Sequence, residues 1–394
     1  MKHYVRVFAV LVCSTLLLTV MGCDDPSNVG LGVGDDLGGG TPTTLELTPT
    51  SFAADSIRDV TGNSNRILAG QVTDPIAGRI TATGYIDLGR ASDPTPGFVE
   101  GPVRTAELRL FPNYVYGDTV DTVTMGLYEM NAEWPSSGLA SDTTLIGFSG
   151  NLITEFSFTP TDSVVTVEMP DAWIQANDEV LRDTSTAFVD RFHGFRIAPI
   201  TGAGNNAVVG FNRLNSQLRA TSDVTPAMFT AIKTFSGLEQ QDATVPKGRF
   251  LLQDGLGSGV TFTFTLPDSL TDAPLNRAAI QLTADTTALG ATLPNNQNFI
   301  RPRIAQASLI GVPSGTDSQV TLSTISFDGD GRYVFDSNQI QTLFQEALLE
   351  NPQIDRYILR LTPSSNTLNS LLLYGPDSDA ERQPMAFITV TLSQ

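Results

Sequence analysis

Residues 260–266, Val260-Thr-Phe-Thr-Phe-Thr-Leu266, alternate apolar and hydroxyl side chains without a break. In an extended chain successive side chains point to opposite faces. Val260, Phe262, Phe264 and Leu266 therefore share one face, and three threonines share the other. A strand of this kind suits an antiparallel sheet with one face on a core and one in water. Working outward, Ala106-Glu-Leu-Arg-Leu110 and Ile388-Thr-Val-Thr-Leu392 repeat the alternation, and Gly, Pro, Asn and Asp separate the runs. The pattern predicts an all-β chain built as a jelly roll or β-sandwich.

Two segments read as helices instead. Ser337 can cap a helix whose Ile340, Leu343, Phe344, Ala347 and Leu348 form one apolar stripe, and Asn351-Pro352 stops it. A weaker counterpart follows Pro170-Asp171 through Trp173, Ile174 and Leu181. The parallel extends to strands. Phe195-Arg-Ile-Ala-Pro199 aligns with Leu359-Arg-Leu-Thr-Pro363 at an offset of 164 residues, as do Asn205 with Asn369 and Ala207-Val-Val209 with Leu371-Leu-Leu373. Ala106–Leu110 aligns with Ala278-Ala-Ile-Gln-Leu282 at an offset of 172. Duplication and convergence of strand patterns both account for this likeness. The expected organisation is a leader over 1–22, then Cys23 and a flexible tether to 44. A first antiparallel, sandwich-like half follows over 45–215, a linker over 216–247, and a second such half over 248–394, each half with one short helix.

The chain has 394 residues, 41% hydrophobic and 16% charged, enough apolar material for a real core. Lys and Arg number 23 against 42 Asp and Glu, a formal charge of −19. Nucleic-acid partners need a positive field and are not expected. Two Cys and two His exclude zinc fingers, haem, iron–sulfur clusters and a disulfide framework.

The N-terminus carries an address. Lys2, His3 and Arg6 form a basic opening, Phe8 to Met21 an apolar stretch, and Gly22-Cys23 follows. The stretch is shorter than the roughly 20 apolar residues of a membrane span and fits a signal-peptide core. Val20-Met21-Gly22-Cys23 is similar to a bacterial lipobox. That resemblance implies cleavage before Cys23 and lipidation of its thiol, with an ordinary secretory signal or a retained anchor as the alternatives. An acidic body repels anionic headgroups, so the membrane partner is met through N-terminal acyl chains, each buried CH₂ contributing about 0.8 kcal/mol. Asp24 to Thr44 is Gly-rich without periodicity and reads as the tether. Asp24-Asp25 fits inner-membrane retention in enterobacterial-type sorting, or surface export in Bacteroidota-type lipoproteins.

Gly248-Arg-Phe-Leu-Leu-Gln-Asp-Gly-Leu-Gly-Ser-Gly259, the strand after it and Leu275-Asn-Arg-Ala-Ala-Ile-Gln-Leu282 together resemble Bacteroidota-type lipoproteins of domain-of-unknown-function family 4270. Leu68-Ala-Gly-Gln-Val-Thr-Asp-Pro-Ile-Ala-Gly78, Tyr116-Gly-Asp-Thr119 and Phe192-His-Gly-Phe-Arg-Ile197 are similar as well. The second half also resembles the DNRLRE type of jelly-roll module, although it lacks that module's acidic-aromatic opening. The resemblance implies an outer-membrane, surface-exposed location and an all-β fold; it implies no reaction.

Catalytic chemistry finds little support. His193 would be the base of any Ser-His-Asp system, yet no Gly-x-Ser-x-Gly elbow occurs, so it reads as structural. Gly255-Leu-Gly-Ser-Gly259 lacks the Lys of a phosphate loop and reads as a turn. No cofactor and no metal is expected, with calcium the one ion to weigh. Its best local cluster is Asp328, Asp330 and Asp336, which reads first as a hairpin turn between Ser323–Phe327 and Arg332–Phe335 and only second as a calcium site. Tyr114, Tyr116, Tyr128 and Trp134 are the candidate glycan platform, because sugar faces stack on rings, or else core residues. The expected function is non-enzymatic binding or assembly at the cell surface, with an extracellular glycan or an envelope protein as partner. The alternative is a surface carbohydrate-binding or glycoside-hydrolysing protein, whose acidic cleft would hold two carboxylates roughly 5–9 Å apart.

Overall fold

The computed structural model describes residues 41–56, 62–135, 137–184, 187–223, 225–256, 258–270, 273–291, 297–303, 306–313, 319–326, 331–349, 354–361 and 367–392. In chain order the first elements are β1 (Thr41–Leu47), β2 (Ser51–Ser56), β3 (Arg66–Asp74), β4 (Gly78–Arg90), α1 (Pro96–Glu100), β5 (Val103–Leu110), β6 (Pro112–Asp118), β7 (Val123–Met130) and β8 (Ser149–Phe158). Then come β9 (Val165–Glu168), α2 (Asp171–Arg182), α3 (Ala187–Arg191), β10 (Phe195–Pro199), β11 (Ala207–Asn212), β12 (Gln217–Ser222) and β13 (Pro226–Gln241). The remainder is β14 (Arg249–Gln253), β15 (Ser258–Thr263), β16 (Leu275–Thr283), α4 (Thr286–Ala291), β17 (Phe299–Ile300), β18 (Gln306–Pro313), β19 (Val320–Ser326), β20 (Arg332–Phe335), α5 (Asn338–Leu348), β21 (Ile354–Leu361), β22 (Ser370–Tyr374) and β23 (Met385–Leu392).

The chain is all-β, and its strands pair antiparallel into two bodies. Body A is β3 to β13. On one side β9, β5, β12 and β13 are neighbours in that order; on the other, β8, β7, β10 and β4. Strand β13 joins the two by pairing with β12 and then with β4, while β3, β11 and β6 continue the sheet from β4. The core between them holds Leu108, Trp173, Phe195, Phe211 and Phe229. Body B sets β20, β16, β23 and β1 against β19, β18, β21, β15 and β2. Phe262, Leu282, Phe335, Phe344 and Ile388 fill its interior. The alternating run at 260–266 behaves as its pattern dictates. Val260 and Phe262 are fully buried, and Phe264 and Leu266 pack on the same core beyond the end of β15.

Helices α2 and α5 form where the apolar stripes place them. The Ser337 hydroxyl accepts a hydrogen bond from the Ile340 N–H and caps α5, whose Ile340, Phe344 and Leu348 are buried. Short helices α1, α3 and α4 accompany them, so each body carries more than the one helix expected.

Three expectations are corrected. Residues 216–247 are largely strand and not linker, because β12 and β13 lie inside body A. Strand β13 escapes a period-two reading because its register shifts between Ala231 and Lys233. The shift turns Phe229 into the main core and Phe235 into a separate cluster with Tyr85 and Trp134. The N-terminal segment is the second correction: residues 41–44 are strand rather than tether, and β1 and β2 complete body B rather than the first half. Finally, β19 and β20 form no hairpin, since β19 pairs with β18 and β20 with β16 in the opposite sheet.

The bodies interlock. Phe299 and Ile300 of β17 pair with Asp118 and Gly117 at the end of β6. Leu68, Val72, Ile80, Tyr116 and Val208 of body A share an apolar cluster with Phe299 and Leu368. Ile76 packs with Leu289 and Leu372.

Candidate functional site

The four rings of the candidate glycan platform do not share a surface. Strand alternation turns Tyr116 inward at the junction, where it is fully buried, and Trp134 is 1% exposed in the cluster with Tyr85 and Phe235. The Trp134 indole N–H donates to the His193 carbonyl at 3.0 Å, which makes His193 part of a structural corner. Tyr128 is half-buried with the Arg196 guanidinium 4.0 Å above its ring. The Tyr114 hydroxyl accepts from the Leu368 N–H at 2.9 Å, and Arg66 covers its ring at 5.0 Å. The platform is therefore overturned: two rings are core, and two are covered by arginines. Burial pushes the Tyr114 and Tyr116 phenols well above their ordinary range.

Of the calcium candidates, Asp328 and Asp330 lie outside the described residues. Asp336 is committed to Arg277, at 2.5 Å from Nη2. Among the described residues no three His, Cys, Asp or Glu side chains converge to hold a metal. Cys23 lies outside the described residues, and none of the described helices is long and apolar enough to cross a membrane.

What the fold does assemble is a polar lock at the junction, which sequence reasoning did not single out. The Asp74 carboxylate closes the β3–β4 turn by accepting from the Ile76 and Ala77 N–H groups at 2.8 and 2.9 Å. Its other partners come from afar. Tyr116 donates from its hydroxyl at 2.8 Å, and Arg301 donates from Nε and Nη2 at 2.6 and 2.9 Å. Arg301 also donates from Nη1 to the Leu289 carbonyl. Burial pushes the Asp74 carboxyl upward, but the Arg301 hydrogen bonds and charge and the two N–H groups outweigh it, and the net pKa lies below the usual carboxylate range. A second lock lies nearby in body B. Arg249 donates to Asp285 at 2.7 Å and stacks on Tyr374 at 3.8 Å, and Arg382 donates to the Tyr374 hydroxyl at 3.1 Å. Asp-Pro before the Gly78 turn was the only local signal for Asp74. Nothing local marks Arg301, because its partner lies 227 residues away.

Two open hollows lie elsewhere, on body A. One, of about 420 Å³, is lined by Arg104, Asp171, Ile174 and Asp178. The other, of about 520 Å³, is lined by Thr81, Tyr85, Asp142, Ile146 and Glu239. Among the described residues, the carboxyls that burial raises, Asp87 and Glu129, line neither hollow. Asp178 lies in the first, but the Arg182 and Val103 hydrogen bonds hold it below its ordinary value against the push of burial. A general acid for glycoside cleavage needs the opposite shift.

No family model matches the chain, and no curated protein matches it. Among solved structures, a protein of Parabacteroides distasonis described as secreted aligns over 84% of this chain and 98% of its own at 9% identity, with a TM-score of 0.19. The Macrobrachium rosenbergii nodavirus structure aligns over 86% of this chain and 90% of its own at 10% identity, with a TM-score of 0.18. The fold therefore rests on this chain's own strand pairing.

Proposed function

We propose that this chain is a lipid-anchored lipoprotein of the cell envelope, displayed on the outer surface, that acts by binding or assembly and not by catalysis. The observation that carries the reading is the N-terminal sequence: a basic opening, a short apolar stretch, and Val20-Met21-Gly22-Cys23 followed by Asp24-Asp25 and a Gly-rich run. The resemblance of Gly248–Gly259 and the neighbouring strands to the Bacteroidota-type lipoprotein family supports the same location. Asp24-Asp25 directly after the acylated position is read as the surface-export signal. In a protein held this way the folded body is the working part, with an extracellular glycan or an envelope protein as its partner.

The test is palmitate labelling of the wild type and Cys23→Ala in the presence and absence of a lipoprotein signal-peptidase inhibitor, combined with protease shaving of intact cells. Labelling lost in Cys23→Ala, with the body shaved from intact wild-type cells, is the expected result. Equal labelling of the two proteins, or no labelling of either, removes the anchor. A labelled body that resists shaving places it on the inner leaflet.

A further inference from the structure

The two bodies correspond in most of their strands; among the described residues β6, which pairs with β11, has no strand-paired counterpart beside β22. In body A, β5 lies between β9 and β12; in body B, β16 lies between β20 and β23. The order β4, β10, β7, β8 reappears as β15, β21, β18, β19, and β3 with β11 as β14 with β22. Helix α2 follows β9 as α5 follows β20. The registers agree residue by residue. Leu108 stands opposite Leu218 and Val167, as Ile280 stands opposite Ala386 and Phe335. Phe195 lies between Ile86 and Glu129, as Leu359 lies between Val260 and Leu309.

One position breaks the chain order. In body A the strand that closes the sandwich is β13, which follows β12 directly and then crosses to β4. In body B the same seat, along β23 and then β15, is filled by β1 and β2 from the opposite end of the described chain. The match is again one of register. Leu47 faces Ala386 where Phe229 faces Leu218, and Ala54 faces Val260 where Thr234 faces Ile86. Thr48-Pro49-Thr50 bends the segment between the two sheets, where β13 carries its register shift. Leu45, Leu47 and Phe52 pack on the body B core, and Phe52 meets the Phe250 ring edge-on at 4.8 Å and stacks on Phe262 at 5.7 Å.

We infer that the chain is a tandem duplication of one sandwich unit, and that body B presents an acceptor groove along β23 and β15 which is closed by an extended strand brought from outside the unit, Thr41–Ser56. The groove recognises such a strand in two ways. Rows of backbone N–H and C=O groups give affinity, and apolar seats at alternate residues give register. Its occupant is this chain's own N-terminal segment. Thr41 lies opposite Leu392, so the seat begins beside the far end of β23. On the proposed function, the segment that fills the groove is the one that continues into the membrane tether, and the anchor would be coupled to body B.

Two variants of the full chain and a deletion control, all carrying Cys23→Ala so that no acyl chain is involved, test this. In the first, residues 41–56 are removed from their place and spliced after Gln394 through a link as long as residues 223–225, which recreates the order β12–β13. It is expected to unfold at roughly the temperature of the parent, whereas deletion without relocation lowers the body B transition by about 10 °C or more. In the second, a protease site is placed within residues 57–61. After cleavage the N-terminal piece is expected to co-elute with the rest under native conditions and to leave only when body B unfolds. A deletion that leaves the transition unmoved, or a cleaved piece that elutes apart from a folded body B, overturns the inference. Should the relocated chain fail to fold, the cleaved chain still decides. Neither readout depends on lipidation, so failure here leaves the anchor standing, and failure of palmitate labelling leaves the groove standing.

Discussion

Arg301 grips Asp74 across the join between the two bodies with one edge of its guanidinium, Nε to Oδ2 at 2.6 Å and Nη2 to Oδ1 at 2.9 Å. The Asp74 side chain is fully buried and that of Arg301 is 4% exposed. A fork of this kind satisfies both carboxylate oxygens, and Tyr116 and two backbone N–H groups complete the shell. The pair acts as a register pin: only one placement of the β17 segment against the β3–β4 turn brings the charges together.

Removing one partner leaves the other charged and buried. Arg301→Met is therefore expected to destabilise the protein by about 3–5 kcal/mol in urea denaturation. Adding Asp74→Asn, which keeps an oxygen for the Ile76 and Ala77 N–H groups, should recover part of that loss. A single-variant cost below about 1 kcal/mol would show that water reaches the pair.

The same pair sets a pH dependence. Asp74 has its pKa lowered on folding, so it contributes stability that is fully present above the ordinary carboxylate range, about 3.9. That contribution is lost as pH falls through the lower, folded-state value. Acid titration of the unfolding midpoint should show a decline below about pH 4 that is shallower in the Arg301→Met, Asp74→Asn double variant. An identical acid limb in both proteins would assign the decline to other carboxylates.

Trp134 is a core residue, so its truncation should be read in stability and not in ligand capture. Trp134→Ala opens a cavity beside Tyr85 and Phe235 and strands the His193 carbonyl, at an expected cost of about 3–5 kcal/mol. If the variant keeps its unfolding midpoint and loses retention on a glycan column, the burial assigned to this ring is wrong.

Gly117 sits between Tyr116 and Asp118 with φ +119°, a backbone state that disfavours a side chain. A Cβ there would also run into the Asn206 carbonyl on β11's approach and the Ala207 Cα. Gly117→Ala should cost more than about 1 kcal/mol in thermal unfolding, and more than Gly202→Ala, where φ is also positive at +81° but the added Cβ meets nothing.

Ser337→Ala removes the cap of α5 and is expected to cost about 1 kcal/mol, while Ser337→Asp, which can accept the same Ile340 N–H, should hold the parent's stability.

Much of the architecture is legible in short windows. Alternation at 260–263 and 106–110 yields strands β15 and β5, the Ser337 stripe yields α5, and the paired motifs around Phe195 and Leu359 occupy matching seats in two bodies. These features are local: side-chain direction follows from backbone period, and a cap needs only its own first turn. Strand β13 was not legible, because one inserted residue exchanges its faces and a window that assumes strict alternation sees only polar noise.

The all-β class and the two helices that flank the repeated strands were readable along the chain, because each is written in residues that are neighbours in sequence. The tertiary structure alone decided which strand closes which body, and that Tyr116 and Trp134 face inward. It alone brought Arg301 to Asp74, and β1 and β2 to the two sheets of body B, whose other strands lie more than two hundred residues away. The physical reason is that backbone hydrogen bonds carry no record of sequence distance. Any extended segment can fill an open edge, and the choice among them is made by apolar complementarity and buried charge, which exist only once the chain is folded.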